Sequence, residues 1–199
     1  MKKPIILILA GLGIWYFWPG KPTVKNAGRP VQTIVAFGDS LTFGKGAGGP
    51  QKAYPALLEQ WTGKKVINLG VSGDTALNAP QRLPDVLAAR PDMVLIEFGG
   101  NDYMQSLRVE EAVESVARIV EAVQQAGAIA VIVDTGAPGM GAYTSSYQKL
   151  AKEKQAVFVP GILRNIFHKR EYKADMVHPN AAGYQIVAQR IYKGIKSYL

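Results

Sequence analysis

A serine, a histidine and an aspartate in this chain have the types and order needed for nucleophilic acyl transfer. Ser40 ends the turn Gly-Asp-Ser directly after an apolar run, and Asp175 precedes His178 by three positions. A serine hydroxyl becomes a nucleophile when a nearby histidine takes its proton and a carboxylate orients that histidine. Pro179 disfavours a helical backbone at His178, so the Asp-x-x-His pair is expected in a turn before the last helix.

These residues also have simpler interpretations. A serine after Gly-Asp is a common turn former or helix N-cap, and a lone histidine is more often structural than catalytic. The other histidine, His168, lies among basic residues in FHKRE and is interpreted as a solvated surface side chain. The catalytic hypothesis therefore depends on whether further groups join Ser40 and His178.

Acyl transfer also requires N–H groups that stabilise the negative charge of a tetrahedral intermediate. Gly73 in VSGD and Asn101 in GGND could supply a backbone N–H and a side-chain amide. Both segments follow apolar runs, although they are also good turn formers. We expect Gly73 and Asn101 to lie near Ser40 if all three follow parallel strands.

Alternating apolar runs and amphipathic segments predict an α/β fold, arranged as a three-layer α/β/α sandwich with a parallel sheet. The strands are expected at 32–37, 65–70, 92–98, 129–134 and 156–159, and the helices at 53–61, 76–89, 107–126, 144–155 and 180–197. The carboxyl ends of parallel strands share one edge of the sheet. The polar segments that follow these strands should therefore converge there.

Composition excludes several kinds of site. The 199 residues include no cysteine and two histidines, which rules out thiolate chemistry and makes a zinc site improbable. We expect neither a metal nor a cofactor. Residues 44–49 fit GxGxxG, but they start too far from the strand, and the second strand is not followed by the acid that would hold a ribose. Gly46 stands where a phosphate-binding loop needs Ser or Thr.

The net charge of +8 does not indicate a nucleic-acid partner. The first 30 residues hold five Lys/Arg and no acid, whereas the remainder has 18 Lys/Arg against 15 Asp/Glu. A mildly basic domain without a basic helix or an RNA-binding signature is weak evidence for nucleic-acid binding.

The N-terminal segment has the pattern of an export signal or a membrane anchor. Two lysines precede an apolar run over residues 5–18 that ends in Trp-Tyr-Phe-Trp. An aromatic end is typical of a membrane interface, and no small-x-small cleavage site follows. We therefore divide the chain into a membrane anchor at 1–18, a tether at 19–30 and a hydrolase domain at 31–199. The domain is expected outside the cytoplasm, and a cleaved signal with a soluble periplasmic enzyme is the alternative.

Four segments together resemble the signature blocks of the GDSL, or SGNH, esterases. These segments are FGDSLTFG, INLGVSGDTA, FGGND and DMVHPN, which occur in this order over residues 35–180. Within this family, the closest resemblance is to small bacterial thioesterases, arylesterases and lysophospholipases. It rests on the segments SGDT and GGND and on the Arg-Leu-Pro at 82–84. The resemblance implies a flavodoxin-like sheet of five parallel strands.

The resemblance also implies a role for each candidate residue. Ser40 would be the nucleophile, His178 the base and Asp175 its orienting acid. The Ser40 backbone N–H, Gly73 and Asn101 would form the oxyanion hole. The substrates would be carboxylic esters, thioesters or lipids, bound without a cofactor.

The apolar residues in the converging loops are candidates for the substrate-binding surface. They are Phe43, Met104, Pro138, Met140 and Tyr143. Two alternatives remain open at this point. The same triad could transfer the acyl group to an alcohol or remove acetyl groups from a carbohydrate, and the fold could instead be a non-catalytic binding module.

Overall fold

The computed structural model describes residues 23–199, so the predicted anchor at 1–18 lies outside the described residues. The described chain contains a sheet of five parallel strands in the order β2-β1-β3-β4-β5. The strands are β1 (Thr33–Gly38), β2 (Lys65–Gly70), β3 (Met93–Glu97), β4 (Ile129–Val133) and β5 (Val157–Val159). This order confirms the predicted flavodoxin-like α/β fold.

Seven α-helices accompany the strands in the described chain. They are α1 (Ser40–Phe43), α2 (Tyr54–Thr62), α3 (Leu83–Ala88), α4 (Gly100–Met104), α5 (Val109–Gln125), α6 (Gly141–Glu153) and α7 (Ala181–Ile195). The helix expected at 76–89 is shorter, because a 3₁₀ turn at Ala79–Arg82 precedes α3. Pro80 and Pro84 lack the N–H that a continuous helix would need there.

The helices cover both faces of the sheet, which explains the continuous apolar strands. Alternate β1 side chains point to opposite faces: Ile34 packs in the core with α2 and α7, and Val35 packs in the core with α5 and α6. Both side chains are fully buried. Each such side chain contributes roughly 1.5–3 kcal/mol relative to an exposed one. The three-layer packing therefore holds the carboxyl ends of the strands in fixed positions.

The described part of the predicted tether is attached to the domain. The Asn26 amide donates hydrogen bonds to the carbonyls of Gln124 and Ala128, both at 2.9 Å, and the Lys25 N–H donates to the Gln155 carbonyl at 2.9 Å. These carbonyls precede β4 and β5, so the contact lies at the edge of the sheet opposite Ser40. Within residues 23–199, no helix is both long and apolar enough to cross a bilayer.

Asn26→Gly should lower the free energy of unfolding by about 1–2 kcal/mol, since two hydrogen bonds to backbone carbonyls are lost. Glycine keeps the positive φ of 65° found at Asn26, so backbone strain does not contribute. Asn165 is a matched control, because its φ is 63° and its side chain makes no hydrogen bond within the described residues. Denaturant unfolding of both variants provides the measurement. Equal losses at the two positions would contradict the role assigned to Asn26.

Candidate active site

Ser40, His178 and Asp175 form a chain of hydrogen bonds at the carboxyl edge of the sheet. Ser40 Oγ lies 3.0 Å from His178 Nε2, and His178 Nδ1 lies 2.8 Å from Asp175 Oδ2. Ser40 begins α1 directly after β1, whereas Asp175 and His178 belong to the loop that precedes α7. The structure thus brings together three side chains that the sequence separates by up to 138 positions.

The Asp175 carboxylate is held in its charged form. Partial burial would raise its pKa, but the N–H groups of Val177 and His178 and the His178 ring outweigh that effect and lower the pKa to about 2. Its Oδ1 accepts both backbone N–H groups, at 2.9 and 2.8 Å. An ionised carboxylate can only accept a hydrogen bond, so His178 Nδ1 carries the proton. His178 Nε2 then has a lone pair free to accept the Ser40 O–H.

Two backbone N–H groups near Ser40 remain available as donors. Neither the Ser40 N–H nor the Gly73 N–H donates to an acceptor among the described residues. Gly73 adopts a φ of +85°, a conformation that glycine tolerates far better than other residues. Gly73 does not itself line the cavity that contains Ser40, but its neighbour Asp74 contacts Asn101, which does.

Asn101 is buried, and its amide nitrogen is already engaged. Its Nδ2 donates to the Asp74 carbonyl at 2.7 Å and to Asp39 Oδ2 at 3.1 Å. An amide nitrogen carries two hydrogens, so both have acceptors. A further acceptor at this site would have to share or displace one of these bonds, and the longer bond to Asp39 is the weaker competitor.

Two charged residues fix the loop that carries Gly73. Arg82 forms an ion pair with Asp74 and donates to the carbonyls of Leu69 at 2.9 Å and Gly38 at 3.2 Å. Asp102 accepts the Ala76 N–H at 2.9 Å. Neither role is predictable from the sequence, in which Arg82 belongs to an Arg-Leu-Pro triplet and Asp102 to GGND.

An apolar cavity of about 330 Å³ opens beside Ser40 and His178. Three of the residues proposed to bind substrate line it: Met104, Pro138 and Met140. Seven further apolar residues that line it were not among those candidates: Leu41, Tyr103, Ala137, Leu163, Phe167, Met176 and Val177. Met176 and Val177 occupy the two variable positions of Asp-x-x-His. Their apolar character beside His178 could have indicated that they line the cavity.

Phe43 and Tyr143, also proposed to bind substrate, do not line this cavity. Phe43 ends the single turn of α1 with 57% of its surface exposed. Tyr143 is buried behind Tyr103, with their ring centroids 6.4 Å apart. Phe43 belongs to α1 and Tyr143 to α6.

The remaining candidates lie apart from this cluster. His168 is exposed and lines a separate surface depression with Lys169 and Arg190. Among residues 23–199, no group of three or more His, Asp or Glu side chains is arranged to hold a metal ion.

Comparison with known proteins relates this site to a family. The profile of the GDSL-like lipase/acylhydrolase family matches residues 36–186. The chain is 29% identical over 174 residues to the thioesterase 1/protease 1/lysophospholipase L1 of Escherichia coli K12, covering 82% of this chain and 83% of that protein. It is 27% identical to an arylesterase of Vibrio mimicus, covering 88% of this chain and 94% of that protein.

Solved structures share the fold over most of the chain. The crystal structure of TesA superposes with a TM-score of 0.79 at 25% identity, over 84% of this chain and 100% of that one. AlinE4, described as an SGNH-hydrolase family esterase, superposes with a TM-score of 0.65 at 30% identity, over 86% of this chain and 98% of that one.

Proposed function

Because the chain belongs to the GDSL-like lipase/acylhydrolase family and is an ester-bond hydrolase, we propose that it cleaves its substrates through an acyl-enzyme on Ser40. The observation that carries this proposal is the hydrogen-bonded series from Ser40 through His178 to Asp175, at 3.0 and 2.8 Å. These distances are within the range needed for proton transfer from a nucleophile to its base.

The first half of the reaction acylates Ser40. Ser40 Oγ attacks the substrate carbonyl carbon while its proton passes to His178 Nε2, and the carbonyl oxygen becomes an oxyanion. The Asp175 carboxylate stabilises the imidazolium that forms. When the intermediate collapses, the bond to the alcohol or thiol breaks, and His178 returns the proton to that leaving group.

Water completes the cycle. His178 takes a proton from a water molecule, which attacks the acyl-Ser40 carbonyl, and the second intermediate expels Ser40 Oγ with the proton from His178. In both intermediates the oxyanion is stabilised by the Ser40 N–H, the Gly73 N–H and the Asn101 amide. The two backbone groups are unoccupied in the described chain, whereas Asn101 must release Asp39 to take part.

The apolar cavity supports an acyl chain as the group bound next to Ser40. Met104, Met140 and Phe167 offer only hydrophobic contact there, which favours fatty acyl groups over acetyl groups and sugars. The relatives named thioesterase, lysophospholipase and arylesterase support the same class of substrate. We therefore propose that medium or long acyl esters and thioesters are hydrolysed.

Ser40→Ala should abolish hydrolysis of p-nitrophenyl octanoate, and His178→Ala should be similarly severe, since the nucleophile or its base is removed. Wild-type kcat/KM should rise from the acetate to the octanoate, because each buried methylene contributes about 0.8 kcal/mol. Steady-state kinetics with purified protein provides the measurement.

His168→Ala is the matched control, since it removes the other histidine from an exposed position, and its activity should be near that of the wild type. An essential His168 with a dispensable His178 would refute the triad. A preference for the acetate would instead favour a carbohydrate deacetylase.

Asn101→Ala should lower kcat by about 10²–10³-fold with little change in KM, as expected for loss of one oxyanion donor. The fold should persist, because Asp39 loses the Asn101 amide but keeps the Leu41 N–H as a donor. Kinetics on the octanoate ester and circular dichroism provide the measurements. A rise in KM with kcat unchanged would move Asn101 to ground-state binding.

We also propose that residues 31–199 form the hydrolase domain and that residues 1–18 anchor it outside the cytoplasm. The basic start, the apolar run and its aromatic end support this placement. Since residues 25 and 26 are attached to the domain, the tether would be shorter than residues 19–30. Protease added to intact spheroplasts should remove the domain from the membrane. Protection from the protease would place it in the cytoplasm.

A further inference from the structure

A fully buried carboxyl group that the proposed reaction does not use lies beneath the nucleophile. Glu97 ends β3 and has no exposed surface. Its Oε2 accepts the Thr42 hydroxyl at 3.0 Å, and that hydroxyl lies 2.8 Å from the Tyr54 hydroxyl. Its Oε1 is buried and has no hydrogen-bond partner among the described residues. A buried polar atom without a partner is costly, so this oxygen requires an explanation.

The explanation lies in a second buried carboxyl group, that of Asp39. Asp39 has 3% of its surface exposed. It follows Gly38, which is paired with Glu97 in the register of β1 and β3, so the two carboxyl groups are neighbours. Its Oδ1 accepts the Leu41 N–H at 2.9 Å, and its Oδ2 accepts the Asn101 amide at 3.1 Å. Two neighbouring buried carboxyl groups do not both ionise at neutral pH. One proton therefore remains between them.

The surroundings decide which group keeps that proton. The Leu41 N–H and the Asn101 amide stabilise the Asp39 anion. Glu97 has the Thr42 hydroxyl and the Asp39 backbone N–H as donors, but full burial outweighs both. Burial and the negative charge of Asp39 raise the pKa of Glu97 well above its ordinary value. Burial also raises the pKa of Asp39, to about 6. Asp39 is thus the acceptor, and Glu97 Oε1 carries the proton.

The other ionisable groups around the pair are acids or phenols, together with one arginine engaged elsewhere. They are Tyr54 of α2, Tyr147 of α6, Tyr184 of α7, Asp102 of α4, Asp74 after β2, and Arg82, which is paired with Asp74. The acids oppose a second negative charge on the pair. Gly38 permits the close packing, because a Cβ there would lie 2.1 Å from Thr42 Oγ1 and 2.9 Å from Glu97 Oε2.

We propose that Glu97 is a positioning residue: it keeps a proton at neutral pH and donates it to Asp39, which holds the Asn101 amide at the cavity beside Ser40. A carboxylate that already accepts this proton is a weaker acceptor for Asn101. The Asn101 amide can then donate its hydrogen bond to the oxyanion instead of to Asp39. This inference rests on the Ser40 reaction proposed above. Loss of the proton would leave two negative charges beneath the nucleophile.

Two substitutions of Glu97 test whether its hydrogen-bond donor or its ability to ionise is what matters. Glu97→Gln supplies an amide N–H to Asp39 and cannot ionise, whereas Glu97→Leu is similar in size and offers no donor. On p-nitrophenyl octanoate, Glu97→Gln should keep kcat within about threefold of the wild type. Glu97→Leu should lower kcat by about 10–100-fold with KM nearly unchanged, because Asp39 without this donor holds the Asn101 amide hydrogen more strongly and withholds it from the oxyanion.

The proton itself gives a readout that is independent of activity. The folded state holds it at a pH where the unfolded chain, with an ordinary Glu value of 4.5, has released it. Wild-type stability should therefore fall as the pH rises above about 4.5, until the raised pKa of folded Glu97 is passed. At pH 7, unfolding of the wild type should release about one more proton than unfolding of Glu97→Gln. Denaturant midpoints measured from pH 4 to pH 9 give this difference.

Asp134→Asn is the control for replacing a buried acid, because both Asp134 oxygens already accept protein donors. Its stability should show the same pH dependence as that of the wild type. Equal losses of kcat in Glu97→Gln and Glu97→Leu would overturn the proposal, as would identical pH dependence of stability in the wild type and Glu97→Gln. Should Glu97→Leu fail to fold, the comparison of wild type with Glu97→Gln still decides. If only the Ser40 mechanism were wrong, unfolding of the wild type at pH 7 would still release about one more proton than unfolding of Glu97→Gln. The two proposals can therefore fail separately.

Discussion

The hydrogen bond from the Ser40 hydroxyl to His178 Nε2 is the contact on which the proposed chemistry depends. It joins residues 138 positions apart, and a serine without such a base is a weak nucleophile. Ser40 is placed by β1, which lies between β2 and β3 in the sheet, and His178 by the loop that precedes α7. The packing of α7 against the sheet therefore stabilises the site as well as the fold.

A second constraint is that the polar groups brought to this edge must be satisfied while the proposed oxyanion donors, the N–H groups of Ser40 and Gly73, stay available. Asp39 accepts from Leu41 and Asn101, and Arg82 holds Asp74 against the ends of two strands. These bonds align three loops without consuming the N–H groups of Ser40 and Gly73. Pre-organised donors of this kind lose little energy to rearrangement during the reaction.

The parallel sheet and the convergence of the loops could be predicted, because buried parallel strands produce long apolar runs and their carboxyl ends share one edge. The flavodoxin-like strand order followed from the resemblance to the GDSL esterases, and the turn before α7 from Asp-x-x-His-Pro. The side chains that line the cavity were harder to predict: Phe43 and Tyr143 belong to the helices α1 and α6 and do not line it. Glu97 was also missed, since a glutamate that ends an apolar strand gives no sign in the sequence that Thr42 and Asp39 will enclose it.

The most direct test of the account is covalent labelling of the active enzyme with an alkyl fluorophosphonate, followed by mass spectrometry of its peptides. The account predicts one phosphonyl adduct, on Ser40, which appears in step with the loss of esterase activity and forms far more slowly in His178→Ala. Complete inactivation with the label on another residue, or with Ser40 unmodified, would contradict it.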